Sequence, residues 1–366
     1  MTITTPYGLP AIWLRINCQC PQCRDAGTGE RLVPIGDLPA DISVSACTRS
    51  GDSYEIVFGP DGHQAVFDAS WLGQYAPGVG QPASADDGRS EDSKRLWSGA
   101  DIAAAFPQGS WPLFLADSGH RQACLTAVLR DGFVVLRDVP VEPGTVLSVA
   151  RHFGLVREIE PGRVVDLEVR ERAANHAFTG HSMRPRTSQA FRDPLPTVQF
   201  VHCLEPSARG GESIVVDGFH AAAVLRARQP EAFAMLSGTE VTFAIATAMS
   251  ELRATKPVIG AGPGGRIREV RVDSSCMQPL RMPAADVISF YEAYRAFSQE
   301  ILRPSATATF RLRRGDCLVL DNSRVLLGRT AAERPRHMQL AWADLDGLAS
   351  TLAMMRRGRR NGHPGS

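Results

Sequence analysis

A chain of 366 residues is too long for one small domain and, at about 150 residues per unit, calls for two to three. Lys and Arg number 40 against 39 Asp and Glu; a formal net charge of +1 argues against nucleic acid as a partner, which would need a basic excess on one face. Hydrophobic residues at 43% and charged residues at 22% fit an ordinary globular chain with a full core. No run approaches the roughly 20 apolar residues of a membrane span, and MTITTPYGLPAIWLRIN lacks the basic end and long apolar core of a secretory signal. The expectation is a cytoplasmic protein with no membrane partner.

The first unit is expected over residues 5–75. Of the eight cysteines, Cys18, Cys20 and Cys23 cluster, while Cys47, Cys124, Cys203, Cys276 and Cys317 are scattered. In a cytosolic chain a tight cluster points to a metal rather than to disulfides. Tetrahedral zinc needs a fourth ligand. His63 is the candidate, in PDGHQAVF, where Pro60-Asp61-Gly62 reads as a tight turn between the strand-like YEIVF and AVF. Four protein ligands leave no open position, so this zinc would be structural. The competing reading is a reduced thiol cluster beside an unrelated turn histidine. The scattered cysteines read as small core residues.

QPASADDGRSEDSKR, rich in small and charged residues, marks a linker over 76–96. A denser unit follows over 97–355. Short strand-like runs recur in it: GFVVLRDVP, PTVQFVHCL, SIVVDGF, EVTFAI, TATFRLRRGD and CLVLDN. Two helical stretches interrupt them, FHAAAVLRARQPEAFAML and DVISFYEAYRAFSQEILRP. In the second, Phe290, Tyr294, Phe297 and Ile301 keep helical spacing and read as a core stripe. The expected fold class is mainly β with α: strands with covering helices suggest a double-stranded β-helix, or jelly roll, preceded by a small zinc-binding β-rich domain, although composition alone does not distinguish this from other β-rich folds. The residues 356–366, with Arg356, Arg357, Arg359 and Arg360, read as a basic flexible tail.

Several segments carry a resemblance, in preserved order. WLRINCQCPQC and PDGHQAVFDASWL are similar to the N-terminal zinc module of the γ-butyrobetaine hydroxylases, within the taurine-dioxygenase-like iron(II)/2-oxoglutarate oxygenases. REIEPGRVVDLEV, ANHAFTG, FRDPLPTVQFVHCL, GGESIVVDGF, LVLDNSRVLLGRTA and RHMQLAWADLDGL resemble successive segments of that family's jelly-roll domain. The resemblance implies a homodimer. It also implies an iron held by two histidines and an aspartate, with open positions for cosubstrate and oxygen. At the first histidine position this chain has Arg186, at the aspartate position Ser188, and at the second histidine position Leu327. Arginine has no lone pair to donate and would repel a cation, by several kcal/mol per unit of metal charge at about 4 Å and an effective dielectric near 20. Neither iron(II) nor 2-oxoglutarate is therefore expected to serve as in the family. Neighbours such as His181, Asp193, His202 and His337 could replace the donors only if they converge; His202 reads as a core histidine.

Other parts of the implied pocket persist. Arg336 matches the arginine that pairs with the distal carboxylate of 2-oxoglutarate, and Asn175 matches an asparagine beside it. Arg186 and Arg184 would make the pocket more cationic, so a small anionic metabolite is the expected partner. Of the cage positions for a trimethylammonium group, Pro161, Val165, Phe178 and Trp342, only Phe178 and Trp342 are aromatic. Leu340 replaces a small residue and narrows the cavity. The leading expectation is an iron-independent biosynthetic enzyme performing cyclisation, elimination, isomerisation or group transfer on a small acid. In that reading Arg186 stabilises charge, Ser188 hydrogen-bonds, and His181 or Asp193 moves protons. The alternatives are a non-catalytic protein that binds a metabolite or an active subunit, and an iron/2-oxoglutarate dioxygenase with substitute ligands.

Overall fold

The computed structural model describes residues 3–76, 94–159, 162–168, 180–247 and 250–360. The chain divides into two compact units, Met1–Asp86 and Asp87–Ser366. Among the described residues, no helix is long and apolar enough to cross a membrane.

In the first unit, helix α1 (Ala11–Ile16) precedes the cysteine segment. Strands β1 (Ser43–Ser50), β2 (Ser53–Gly59) and β3 (Gln64–Asp68) then form an antiparallel meander. Alternation decides which face is covered: Ile56 and Phe58 of β2 and Ala65 and Phe67 of β3 are buried, while the residues between them are more exposed. The turn after β2 passes through Gly62 at φ +67°, a conformation a glycine adopts without strain. Helix α2 (Ala69–Gly73) starts where the Asp68 carboxylate accepts from the Trp71 backbone N–H at 2.8 Å. The core of this unit joins Leu14, Phe58, Phe67 and Leu72 to Cys18 and Cys23.

The second unit opens with α3 (Gly99–Ala104), β4 (Gln108–Ser110), α4 (Trp111–Ala116), α5 (Ser118–Asp131) and β5 (Phe133–Arg137). Next come α6 (Thr145–Arg151), β6 (Val156–Arg157), β7 (Val165–Glu168), β8 (Met183–Arg186), β9 (Val198–Glu205) and β10 (Ser213–Asp217). The middle of the unit holds α7 (Gly218–Arg228), α8 (Pro230–Gly238), β11 (Glu240–Ala246), β12 (Glu251–Pro257), β13 (Ile259–Ala261), β14 (Ile267–Val270) and α9 (Ala284–Ile301). It closes with β15 (Thr307–Phe310), β16 (Cys317–Asp321), β17 (Val325–Arg329), β18 (His337–Ala343) and α10 (Leu345–Arg360).

Two sheets result. The larger has the order β4-β5-β16-β9-β18-β6, with β7 also paired to β18; the smaller has the order β15-β10-β17-β8. Their facing sides make one core. Val201, Leu318, Leu340 and Trp342 come from the larger sheet, and Val215, Ala308 and Val325 from the smaller. Successive residues serve opposite faces. Val198, Phe200, Val319 and Ala341 turn outward to a second core with α4, α5, α6 and α10. Val216 and Leu326 turn outward from the smaller sheet to a third core with α7, α8 and α9. Phe219, Phe290 and Phe297 are fully or almost fully buried there, each contributing about 1.5–3 kcal/mol by leaving water. This is the jelly roll with helical buttresses that the strand pattern implied.

The smaller sheet is fixed to the chain around residues 95 and 130 through a buried arginine. Arg324 meets Asp217 at 2.7 Å, both fully buried, and donates its remaining N–H groups to the carbonyls of Arg130 and Arg95.

Three boundaries differ from expectation. The run FHAAAVLRARQPEAFAML is two helices, because Pro230 has no N–H for a continuing helix and instead sits at the start of α8. The tail expected to be flexible from Arg356 is helical as far as Arg360. Residues 94–96, assigned to the linker, pack in the second unit: Lys94 lies 3.6 Å from Asp321 and Arg95 2.8 Å from Asp131. The remainder of the linker from residue 77 lies outside the described residues.

Candidate metal centre and jelly-roll pocket

Cys18, Cys20, Cys23 and His63 bring one ligand atom each to within 4.8 Å of one another. From His63 Nε2 the Sγ atoms of Cys18, Cys20 and Cys23 stand at 3.3, 3.7 and 3.5 Å. A zinc tetrahedron with Zn–S of about 2.3 Å and Zn–N of about 2.0 Å has sulfur-to-nitrogen edges of roughly 3.5 Å, so the four residues fit zinc. The protein side is consistent with a cation. Burial pushes the Cys18 thiol up to about 12, so a thiolate there needs a positive neighbour. Burial also lowers the His63 pKa, keeping the neutral imidazole that ligates. Arg15 ties the two ligand segments together. Its Nη1 donates to Cys23 Sγ at 3.3 Å and its Nε to Asp61 at 2.7 Å, while Asp61 accepts from the His63 backbone N–H at 3.2 Å.

A second site lies within the second unit. A cavity of about 380 Å³ is lined by residues of β7, β8, β9, β11, β17 and β18 and by the segment 273–276 that follows β14. Its walls include Val165, Val201, Leu327, Leu340 and Trp342 as apolar residues, and Arg186, Arg329, Arg336 and Asp273 as charged ones. Position follows from register. Leu327 faces Arg186 across β17 and β8, whereas Arg329 faces Met183, so β8 carries one extra residue in a bulge. The bulge presses on Gly328, where an added Cβ would stand 2.6 Å from the Met183 carbonyl oxygen and 2.7 Å from the Pro185 nitrogen. Only glycine admits that approach.

The loop after β8 is clamped. Ser188 donates its N–H to Asn322 Oδ1 and accepts from Asn322 Nδ2, both at 2.8 Å. Thr187, fully buried, donates its backbone N–H to Val272 and its hydroxyl to Val270. Arg186 therefore meets the 273–276 segment: its Nη1 donates to Ser275 Oγ at 3.2 Å and lies 3.5 Å from Asp273. Asp273 also accepts from the Ser275 hydroxyl at 2.6 Å.

The arginines crowd one another. Burial first, and then the Arg186 charge, lower the Arg329 pKa; burial and then Arg329 bring Arg336 down to about 10. Buried polar atoms on the wall that make no hydrogen bond among the described residues include Arg336 Nε, Trp342 Nε1 and Gln199 Oε1. Gln199 and Trp342 stand opposite each other in the β9–β18 ladder. An unpaired buried polar atom costs free energy where it stands.

The pocket thus brings together Arg186, Ser188, Leu327, Arg336 and Trp342. It does not bring in the other expected residues. Arg184 is exposed on the far side of the bulge, because the extra residue reverses the parity that would place it beside Arg186. Asp193 pairs with Lys256 at 3.0 Å, both partly exposed, and is not among the lining residues. His181 is exposed and outside the lining as well. Neither is placed on the wall of this cavity. Asn175, Phe178 and Pro161 lie outside the described residues. His202 is fully buried on the opposite face of β9, and His337 meets Asp166 at 2.7 Å. Asp273, Ser275 and Arg329 were not anticipated. Asp273 and Ser275 sit in irregular chain, where no spacing rule applies, and Arg329 had only its position two residues beyond Leu327 as a signal.

The fold and the two sites belong to a known class. The description "Taurine catabolism dioxygenase TauD, TfdA family" matches residues 98–342, and "Gamma-butyrobetaine hydroxylase-like, N-terminal" matches residues 4–73. The chain belongs to the TauD, TfdA family, in its γ-butyrobetaine hydroxylase-like branch. A gamma-butyrobetaine dioxygenase of Pseudomonas sp. (strain AK-1) is 32% identical over 349 residues, covering 94% of this chain and 90% of that protein. A trimethyllysine dioxygenase of Meyerozyma guilliermondii is 26% identical, covering 95% and 90%. The human gamma-butyrobetaine dioxygenase is 25% identical, covering 97% and 92%.

Proposed function

We propose that the jelly-roll pocket of this chain works without iron, as an enzyme acting on a small carboxylate-bearing metabolite. One observation carries the reading. Arg186, Ser188 and Leu327, at the positions where the family resemblance puts iron donors, line one pocket, with Leu327 directly opposite Arg186. None offers an imidazole or a carboxylate, and a guanidinium in that place repels a divalent cation. Among the described residues, the cluster of three or more metal-capable side chains is the Cys18, Cys20, Cys23 and His63 set alone. The donors present do not fit iron(II).

The chemistry such a pocket supports is proton transfer beside a bound acid. Arg336 and Arg329 hold a carboxylate, Asp273 exchanges a proton with a carbon next to it, and Arg186 stabilises the negative charge that develops. Isomerisation and elimination fit this set better than oxidation does. Cys276 also lines the cavity, but burial pushes its thiol up to about 12, so it is a poor nucleophile. A second reading, a non-catalytic metabolite binder, is favoured by the ties of Asp273 to Ser275 and Arg186, which engage both its carboxylate oxygens. The cytoplasmic homodimer belongs to the same proposal; light scattering in solution checks the dimer.

The test is metal content after anaerobic loading with iron(II) and 2-oxoglutarate, followed by desalting. One zinc and no iron per chain is the expected result. Stoichiometric iron that stays bound with 2-oxoglutarate would overturn the proposal and restore oxygenase chemistry with substitute ligands.

A further inference from the structure

Gln189, on the cavity wall, stands at φ +58°, in the left-handed region that residues other than glycine rarely occupy. The surrounding chain imposes this conformation. On one side Asn322 brackets the backbone of Ser188, accepting from its N–H and donating to its carbonyl. On the other, the buried Arg271 donates from Nη1 to the carbonyls of Ala190 at 2.6 Å and Arg192 at 2.8 Å. The Arg192 backbone N–H closes the turn on the Gln189 carbonyl at 3.0 Å. Strain that neighbours hold in place on a cavity wall points to a use for the side chain it puts there.

That side chain is also oriented. A guanidinium has donors only, so the 3.0 Å bond from Arg192 Nε to Gln189 Oε1 decides which end of the carboxamide is which. The oxygen is engaged by Arg192, which does not line the cavity, and the two N–H donors of Nε2 remain for a ligand. The residues beside it that also line the cavity, Ser188 and Phe191, carry no charge. A donor in uncharged company suits a neutral oxygen and offers nothing to a cation or a hydrocarbon.

We infer that Gln189 is a specificity-determining residue of this pocket, whose amide N–H donates to a neutral acceptor on the ligand: a hydroxyl, ketone or carboxamide oxygen. The inference rests on the small-acid reading above and narrows the substrate to an acid that carries such a second, uncharged oxygen. An acid with a hydrocarbon end in that place would leave the amide without a partner.

Isothermal titration on the full chain with its zinc, in buffer freed of iron, tests it with acids paired so that one group differs. 4-Hydroxybutyrate is set against pentanoate, and 4-oxopentanoate and succinamate against 4-methylpentanoate. In at least one pair the oxygen-bearing acid is expected to bind about fivefold or more tightly, the net worth of one hydrogen bond. Gln189→Met, which keeps the length and removes the amide, is expected to erase that preference. Gln189→Asn, an amide on a shorter stem in a residue that tolerates the left-handed region, is expected to keep part of it. Gln189→Gly relieves the strained backbone and is expected to lose the preference while melting no lower than the unaltered chain. No preference in any pair, a preference that survives Gln189→Met, or a preference lost in Gln189→Gly only together with a fall in melting temperature would overturn the inference and leave the acid pocket standing. No binding by any of these acids would sink the small-acid reading itself, and the inference with it.

Discussion

Arg15 shows how one buried side chain can organise a metal centre from outside its ligand set. A zinc with three thiolates carries a net negative charge, and Arg15 supplies the nearby positive one. Its fork reaches Cys23 from one ligand segment and Asp61 from the other, and Asp61 in turn holds the backbone of His63. Arg15→Met keeps the aliphatic stem and removes the fork. The expected outcome is zinc loss to a chromophoric chelator that is about 10–100-fold more favourable, the range for groups that support ligands. Unchanged competition would mean that the fork serves packing alone. His202 is the opposite case, a polar group with nothing to hold. Both ring nitrogens are buried without a partner among the described residues, opposite Cys317 and Gln339 in the sheet. Burial brings its pKa down to about 4. An unfolded histidine titrates near 6.5, so between those values the unfolded chain binds more protons and stability falls as pH falls. The drop attributable to this residue is about 3 kcal/mol from pH 7 to below 4. His202→Leu is expected to flatten that limb in denaturant titrations at a series of pH values, and to cost little at pH 7.

At the level of elements, the β8–β17 pair sets the pocket. Gly328→Ala places a methyl group against backbone atoms of β8 that have no room to move independently. The expected cost is about 1–3 kcal/mol, the usual range for overpacking, with acid binding lost as β8 shifts and carries Arg186 with it. Thermal denaturation and titration with a small carboxylic acid measure the two effects separately, and unaltered binding would show that the bulge does not position Arg186. This pair also shows what sequence can and cannot convey. The Cys18-Cys20-Cys23 spacing was readable because its geometry is local, and His63 because a turn between two strands presents it. The strands of the larger sheet were readable from their apolar runs. The bulge was not, since it depends on a partner more than a hundred residues away; without it, parity puts Arg184 beside Arg186, and the structure does not. Asp193 and His181 are close to Arg186 along the chain only, whereas Asp273 reaches the pocket through the hydrogen bonds that clip Thr187 to residues 270–272. Distances in space of that kind leave no trace in spacing.

Across the whole molecule, each unit has a core of its own. The first gathers Leu14, Phe58, Phe67 and Leu72 around the cysteines, and the second has its separate clusters between and outside the two sheets. The first core is small, and units of that size commonly depend on a metal or another staple to stay folded. Structural zinc binding of about 10–16 kcal/mol is folding free energy in such sites. Calorimetry of the intact chain should therefore resolve two transitions. A strong zinc chelator is expected to abolish the one belonging to the first unit. The other should move by less than about 2 °C, since 1 kcal/mol shifts the midpoint by only about 2–4 °C even in a smaller domain of 150–250 residues. If both transitions collapsed together, the second unit would depend on the zinc module for its stability. In that case the pocket's acid binding should disappear with the zinc, although no zinc ligand lines it.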